Sequence, residues 1–255
     1  MAYWKRTGGS TFVPTEHVGG AWNLREQHIA PALGLLAHAV ELDRDERRSD
    51  GLLVSRASYD ILGAVPLDEM EISVDVVRPG RTIELVRAEA RHGGRSVVTA
   101  RFWLIAPNDT SALAGSGLPP VPGPDRTPAW DMTTLWPGGF IASLEVRRTL
   151  LAEGRSITWA RTPHDLVADE PVSRFAAVAG LLDLTNGIAT RADPKRVAFP
   201  NIDLTAHFLR EPVDGWLGLD TTVSFGPTGL GITSSVTHDE SGPFATTAQT
   251  LTVRP

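Results

Sequence analysis

Residues 81–105, RTIELVRAEARHGGRSVVTARFWLI, contain two largely apolar runs separated by the turn formers of HGG (92–94). Apolar and polar residues alternate through much of this stretch, as they do in a strand with one buried face. The preceding segment, MEISVDVV (70–77), has the same period of two, with Ile72, Val74 and Val76 on one face. The three runs predict consecutive antiparallel strands.

The second half of the chain contains a similar series of strand-like runs, which ends around the turn DESG (239–242). Gly94 and Gly242 are 148 residues apart, and the same spacing places Arg101 at the position equivalent to Gln249. The similarity of the two halves predicts an internal duplication. The runs are NIDLTAHFLREPV (201–213), GWLGLDTTVSF (215–225), LGITSSVTHD (230–239) and GPFATTAQTLTV (242–253).

A helical pattern precedes each predicted series of strands. QHIAPALGLLAHAVE (27–41) has apolar residues at helical spacing, and RFAAVAGLLDLTNG (174–187) has an apolar stripe followed by the stop signal Asn186-Gly187. Asp183 lies on or beside that stripe, close to the predicted helix end. These patterns predict an α+β fold in which two helix-plus-antiparallel-sheet repeats share a continuous sheet.

The middle of the chain has a different composition from the two halves. Residues 107–139 hold many turn formers and little periodicity, which is typical of a connector. We therefore expect an N-terminal repeat at 1–106, a connector at 107–139 and a C-terminal repeat at 140–255.

The composition limits the function classes that the chain can serve. The 255 residues carry 24 Lys and Arg against 30 Asp and Glu, a net charge of −6 that provides no basic field for nucleic acid. There is no cysteine, which excludes disulfides and thiolate catalysis. No apolar run reaches the roughly 18 residues of a membrane helix, so we expect a cytoplasmic protein without a membrane span.

Several catalytic motifs are missing from the chain. G-x-S-x-G, H-E-x-x-H, the Walker lysine motif and a G-x-G-x-x-G after a strand do not occur. Serine hydrolase, zinc and nucleotide-binding chemistry are therefore disfavoured, and we expect no metal and no cofactor. The remaining candidates are carboxylate, amide and water.

The repeated helix-plus-strands pattern is similar to that of a known family. Residues 56–105, residues 201–255 and the helix end LLDLTNG (181–187) resemble the thioesterase-like superfamily, and more closely the double-hotdog acyl-CoA thioesterases of the bacterial thioesterase II type. The resemblance extends from about Gly19 to Pro255, apart from the connector. It implies a double-hotdog thioester hydrolase that acts on acyl-CoA in lipid metabolism and forms a homodimer.

The resemblance also implies the site residues. In that family an Asp at the end of the second central helix, a Thr or Ser early in the next strand and a Gln in the last strand bind and activate a water. The corresponding residues here are Asp183, Asn201 and Gln249, so that an amide stands where the family has a hydroxyl. Many relatives have His-Gly-Gly at the start of the first helix, where this chain has His28-Ile29-Ala30, and His28 would form a polar wall of the CoA entrance.

The expected chemistry is that of a general base. Asp183 would orient or deprotonate a water that attacks the thioester carbonyl, with Asn201 and Gln249 holding the same water. Burial and the negative end of the helix dipole should both raise the pKa of Asp183. A backbone N–H near the start of a central helix could stabilise the oxyanion, and Asp203 is the reserve carboxylate.

Other interpretations stay open at this point. An Asp before Asn-Gly is often a turn residue, and Gln249 could be a satisfied polar residue of a strand. The departure at Asn201 and the missing Gly-Gly are also consistent with an acyl-CoA or lipid-binding protein that has lost its chemistry. A hotdog dehydratase is a third possibility, for which FPNIDLTAH (199–207) is only a loose match.

Overall fold

The computed structural model describes residues 1–255, and its thirteen strands form one sheet. The first repeat and its flanking segment contribute β1 (Ala2–Arg6), β2 (Thr11–Pro14), β3 (Leu53–Ile61), β4 (Met70–Arg78), β5 (Ile83–His92) and β6 (Arg95–Ile105). The remaining strands are β7 (Glu145–Ala152), β8 (Arg155–Arg161), β9 (Asp165–Val167), β10 (Asp203–Phe208), β11 (Leu217–Phe225), β12 (Leu230–Asp239) and β13 (Gly242–Thr252). The helices are α1 (Ile29–Arg47), α2 (Gly139–Ala142), α3 (Arg174–Ala179) and α4 (Thr185–Ile188).

The order of the strands divides the sheet into a half of six strands and a half of seven, in which β9 is added beyond β1. It runs β7-β8-β11-β12-β13-β10-β3-β6-β5-β4-β2-β1-β9, so β10 and β3 meet at the junction. These two strands are antiparallel, and the hydroxyls of Ser58 and Thr205 lie 2.9 Å apart across the junction. The predicted α+β architecture, two helix-plus-sheet repeats with a continuous sheet, is confirmed.

The spacing between the repeats differs from the prediction by one residue. The bounds of β4, β5 and β6 recur in β11, β12 and β13 at a spacing of 147 residues, not 148. A slip of one residue moves a side chain to the other face of a sheet. The residue equivalent to Gln249 is therefore the buried Phe102, and the assignment of Arg101 to that position is wrong.

The first helix matches its prediction, but the second does not. α1 is continuous over 19 residues, whereas residues 174–188 form the six-residue α3, a 3-10 turn at Leu182–Leu184 and the short α4. Gly187 lies inside α4 and does not end a long helix. Asp183 accordingly occupies a tight turn between two short helices.

The break coincides with a close contact between α1 and α3. A Cβ atom added to Gly34 would lie 2.8 Å from the Cα of Gly180, so the two backbones touch at this point. α3 ends here, with Gly180 as its C-cap. Glycine is a poor helix former, which makes the chain easy to turn at this position.

The core lies between the sheet and the helices, and a single cluster of 49 buried residues extends through both repeats. The connector also contacts the segment that precedes α1. Gly20 and Gly138 both have positive φ, and a Cβ on Gly138 would lie 2.4 Å from the Cα of Gly20. This contact brings the connector to the edge of the cavity described below. None of the helices combines the length and apolarity that crossing a membrane requires.

Candidate active site

A cavity of about 480 Å³ lies where the two repeats and the connector meet. Its walls come from the segment before α1, the loop after β3, the connector, the turn that holds Asp183 and the segment before β10. The lining includes Gln27, His28, Ile29, Trp136, Asp183, Asn186 and Asn201.

Asp183 is the buried carboxyl group on the cavity wall, with 6% of its surface exposed. Its Oδ1 accepts hydrogen bonds from Asn201 Nδ2 at 2.7 Å and from Gln249 Nε2 at 2.8 Å. Its Oδ2 has no hydrogen-bond partner in the protein and is not sealed from the cavity. One carboxyl oxygen is therefore fixed, and the other is available to a ligand or water.

Burial raises the pKa of Asp183 to about 7, and the hydrogen bonds from Asn201 and Gln249 oppose that rise. Desolvation disfavours the charged carboxylate, whereas donated hydrogen bonds stabilise it. The sequence also predicted that the negative end of a helix dipole would raise the pKa of Asp183. Asp183 does not end a long helix, so the rise in its pKa comes from burial. The direction expected from burial is confirmed.

Gln249 lies behind Asp183, buried on β13 and away from the cavity wall. Its Oε1 accepts a hydrogen bond from Thr185 Oγ1 at 2.8 Å, which leaves Nε2 directed at Asp183. Thr185 thus fixes the orientation of the Gln249 amide. Sequence reasoning missed Thr185, since its position two residues after Asp183 gives no sign of a contact with the last strand.

Asn201 lies just before β10 and forms an isolated bridge with Leu251. A bend at Ile202 interrupts the alternation of side chains, so Asn201 points into the site although Thr205 and His207 face outward. The Nδ2 of Asn201 donates to Asp183 and, at 3.1 Å, to the backbone oxygen of Asp203. Strict alternation along residues 201–207 predicts that Asn201, Asp203, Thr205 and His207 share one face, and this prediction is wrong for Asn201.

His28 is the N-cap of α1 and lies on the same cavity as Asp183. Its Nδ1 accepts a hydrogen bond from Ala30 N at 3.2 Å, and its ring packs on Phe140 with centroids 4.3 Å apart. Burial lowers the pKa of His28 to about 3, so the ring is neutral near pH 7. A neutral ring that accepts at Nδ1 carries its proton on Nε2.

Three polar residues considered in the sequence lie away from the site. Asp203 accepts a hydrogen bond from Thr250 N at 2.5 Å and does not line the cavity. Arg101 is exposed on β6. His207, part of the segment that loosely matched a dehydratase signature, lies in a separate polar groove on the outer face of the sheet.

The rest of the cavity is largely apolar. Trp22, Trp136 and Phe199 form an aromatic cluster with ring centroids 4.8–6.0 Å apart, and Trp136 Nε1 donates to the backbone oxygen of Gly187 at 2.8 Å. Glu26 and Arg254 are the other charged residues of the lining. The chain contains no cluster of three or more His, Asp or Glu side chains that could hold a metal ion.

Two helix-plus-sheet units with one shared sheet define a double hotdog, and a buried carboxyl group between the units defines a candidate hydrolytic site. A model of the acyl-CoA thioesterase N-terminal domain matches residues 19–105, and a model of the C-terminal domain matches residues 115–253. The chain belongs to the acyl-CoA thioesterase family and is a thioesterase. No curated protein matches the chain significantly.

Solved structures share the whole fold at low sequence identity. A candidate thioesterase from Novosphingobium aromaticivorans is 22% identical with a TM-score of 0.76, and all of both chains is covered. A hot dog protein from Alicyclobacillus acidocaldarius is 15% identical with a TM-score of 0.76, covering 98% of this chain and 95% of that chain. Acyl-CoA thioesterase II from Mycobacterium marinum is 16% identical with a TM-score of 0.67 and the same coverage. At these identities the similarity establishes the fold alone.

Proposed function

We propose that the protein hydrolyses an acyl-CoA thioester to the free acid and CoA with a water activated by Asp183. The observation that carries this proposal is the carboxyl group itself, which has one oxygen held by two amides and the other open to the cavity. Its pKa of about 7 suits a general base at neutral pH.

The proposed reaction uses groups of the protein and water. Asp183 Oδ2 takes a proton from water while the water oxygen bonds to the thioester carbonyl carbon, whose oxygen becomes an oxyanion. The tetrahedral intermediate then loses the CoA thiolate, and Asp183 returns the proton to sulfur. Asn201 and Gln249 stabilise the carboxylate and fix its direction through their bonds to Oδ1.

The start of α1 is the best candidate for the oxyanion site. The backbone N–H of Ile29 has no acceptor in the protein, and Ile29 lines the cavity. It lies at the positive end of the α1 dipole, where a developing negative charge is stabilised. His28 is the residue before Ile29, and its ring carries an N–H at Nε2. This second donor supports a role for His28 in substrate binding.

The finer assignments belong to the same proposal. The chemistry is assigned to the C-terminal repeat at 140–255, with the N-terminal repeat at 1–106 and the connector at 107–139 completing the cavity. The aromatic cluster supports binding of the acyl group next to the connector. A role in lipid metabolism and a homodimer are proposed from the resemblance to the family, and a cytoplasmic location is proposed from the sequence.

Release of free CoA thiol from short, medium, long and branched acyl-CoAs tests this function. The chain has no cysteine, so a thiol reagent gives no background from the protein. Turnover by the wild type that collapses in Asp183→Asn is the expected result. Retained turnover in Asn201→Thr would show that an amide and a hydroxyl are interchangeable at residue 201.

One observation favours a second candidate function, an acyl-CoA or lipid-binding protein with reduced catalysis. Both N–H groups of the Asn201 amide are used within the protein, since Nδ2 donates to Asp183 and to the backbone of Asp203, and its Oδ1 accepts from Asn186 Nδ2 at 3.3 Å. No donor of Asn201 is left to hold a water. Binding of acyl-CoA without release of thiol from any substrate would favour this candidate.

A further inference from the structure

Asn186 contacts the side chain of Asn201, which is one of the two amides bonded to Asp183. Its Nδ2 donates to Asn201 Oδ1 at 3.3 Å and to the backbone oxygen of Phe199 at 3.2 Å. Asn186 follows Asp183 by three residues, and residues at that spacing lie on one face of a tight helical turn. The segment that supplies the carboxylate therefore also supplies a contact to an amide that binds it.

Asn186 gains little stability from its own surroundings. Its side chain is 5% exposed, and its Oδ1 is a buried acceptor without a donor, which destabilises the folded protein. That effect opposes the gain from the bond to Phe199. The bond to Asn201 is therefore the contact through which we expect Asn186 to act.

The amide of Asn201 has two orientations that differ by a half-turn, and only one of them donates to Asp183. In the structure its Nδ2 donates to Asp183 Oδ1 at 2.7 Å and to the backbone oxygen of Asp203 at 3.1 Å. The opposite orientation would place this Nδ2 against the Nδ2 of Asn186, so that two donors would face each other. Asn186 thus disfavours the orientation in which Asn201 gives no hydrogen bond to the carboxylate.

The contact from Asn186 matters most while Asp183 is protonated. An ionised carboxylate holds the Asn201 amine group toward itself, but a general base takes up a proton in every turnover. A protonated carboxyl group can donate a hydrogen bond as well as accept one, so it no longer requires a donor. The amide of Asn186 does not titrate, and it keeps the Asn201 amide in place until the charge returns.

We propose that Asn186 is a positioning residue, which keeps the Asn201 amide turned with its donor toward Asp183. This inference rests on the proposed function and adds to it how an amide can serve at residue 201. A hydroxyl at that position would need no such contact, because its single oxygen both donates and accepts and its hydrogen rotates. Asn186 and Asn201 therefore act as a pair.

The test is a double-mutant cycle of Asn186→Leu and Asn201→Thr, in which kcat/KM for the best acyl-CoA is measured from pH 4.5 to 9. Asn186→Leu alone should move the midpoint of the pH profile upward, because an amide that is not held in place stabilises the ionised carboxylate less. It should also lower kcat/KM at pH 7 by about 3–10-fold, the usual effect of one hydrogen bond. In the Asn201→Thr protein the same change should not move the midpoint.

Gln27→Leu is the matched control. Gln27 is a second buried amide of a residue that lines the cavity, and its Oε1 is also unpaired. Its Nε2 donates only to backbone oxygens, those of Pro66 at 2.7 Å and Asp68 at 3.4 Å. Loss of this amide should lower the free energy of unfolding without moving the midpoint of the pH profile.

A midpoint that stays in place in Asn186→Leu, or that moves equally in both backgrounds, would overturn the inference and leave thioester hydrolysis intact. If Asn201→Thr has no turnover, a shift in Asn186→Leu that Gln27→Leu lacks supports the inference, and equal profiles overturn it. Asn186→Ala takes the place of Asn186→Leu if the latter does not fold. A wild type that hydrolyses no acyl-CoA would overturn the proposed function and this inference together.

Discussion

The two repeats have the same sheet but differ at three equivalent positions. Aligning GLLAH (34–38) with GLLDL (180–184) at the glycines that touch places Ala37 opposite Asp183. The 147-residue spacing of the strands places Phe102 opposite Gln249 and, through the pairs Val54–Leu104 and Asn201–Leu251, Val54 opposite Asn201. All three first-repeat residues are buried and apolar.

This comparison shows which residues of the fold the proposed site replaces. The first repeat fills the positions with hydrocarbon, and its helix is continuous. The second repeat has a buried carboxylate, a buried amide and the half-buried amide of Asn201 there, and its helix is broken at Gly180. The proposed site therefore occupies positions that the other repeat fills with apolar core residues, and polar groups buried at such positions lower stability.

The largest expected effect is that of removing the carboxylate of Asp183, which has no counterpart in the first repeat. Asp183→Asn should lower kcat by about 10²–10⁴-fold, the range for loss of a general base. The near-isosteric amide keeps the packing, so circular dichroism should be unchanged. Thiol release from the best acyl-CoA measures the effect, and a variant as fast as the wild type would remove Asp183 from the mechanism.

The same substitution should change how stability depends on pH. The pKa of Asp183 is raised to about 7 in the folded protein from an ordinary 3.8, so the folded state binds more protons between these values. The free energy of unfolding should therefore fall as pH rises from about 4 to about 7, by roughly 4 kcal/mol from this group. Urea unfolding at several pH values should show this fall in the wild type and not in Asp183→Asn.

Glu41 is a second buried carboxyl group whose pKa is raised by burial. Because it is present in both proteins, its contribution cancels in their difference. A difference in the free energy of unfolding that is constant from pH 5 to pH 8 would contradict a pKa near 7 for Asp183.

A smaller effect is expected from Gln249→Leu, which gives the second repeat an apolar residue like Phe102. Loss of the Nε2 bond should raise the pKa of Asp183 further and lower kcat/KM at pH 7 by about 10–100-fold, as for a hydrogen bond to a charged group. Phe102→Leu is the matched control. It should lower the free energy of unfolding by about 1–2 kcal/mol and leave the pH profile of the rate unchanged.

The smallest effect concerns Arg101, which the 148-residue spacing would place opposite Gln249. Arg101 is exposed, so Arg101→Gln should change the free energy of unfolding by less than about 0.5 kcal/mol. The rate should stay within about twofold of the wild type. A loss of activity similar to that of Gln249→Leu would favour the 148-residue spacing over the one in the structure.

The sequence predicted the α+β class, the strands from β4 to β6 and from β10 to β13, and α1, because their periodicity is local. The hairpin of β1 and β2 was not predicted. Ala2, Tyr3 and Trp4 are buried in succession, so β1 lacks the alternation of apolar and polar residues that indicates a strand. The predicted spacing of the repeats was wrong by one residue, because it was taken from glycines in turns. Such glycines need not occupy equivalent positions in the two repeats.

The site was predicted in part. Asp183, Asn201 and Gln249 were identified through the resemblance to a family, and the structure brings them together by hydrogen bonds. The helix break coincides with a contact to Gly34, which is distant in sequence. Thr185 and Asn186 were missed for a similar reason, since their partners lie on other segments.

The central claim is that Asp183 of the second repeat is a general base with a pKa near 7. The most direct test is the pH dependence of kcat/KM between pH 4.5 and 9 with the best acyl-CoA. We predict that log kcat/KM rises with a slope of one and becomes level above about pH 7, where the carboxylate is fully ionised. A profile that is level from pH 5 upward, as for an ordinary carboxyl group, would contradict the account.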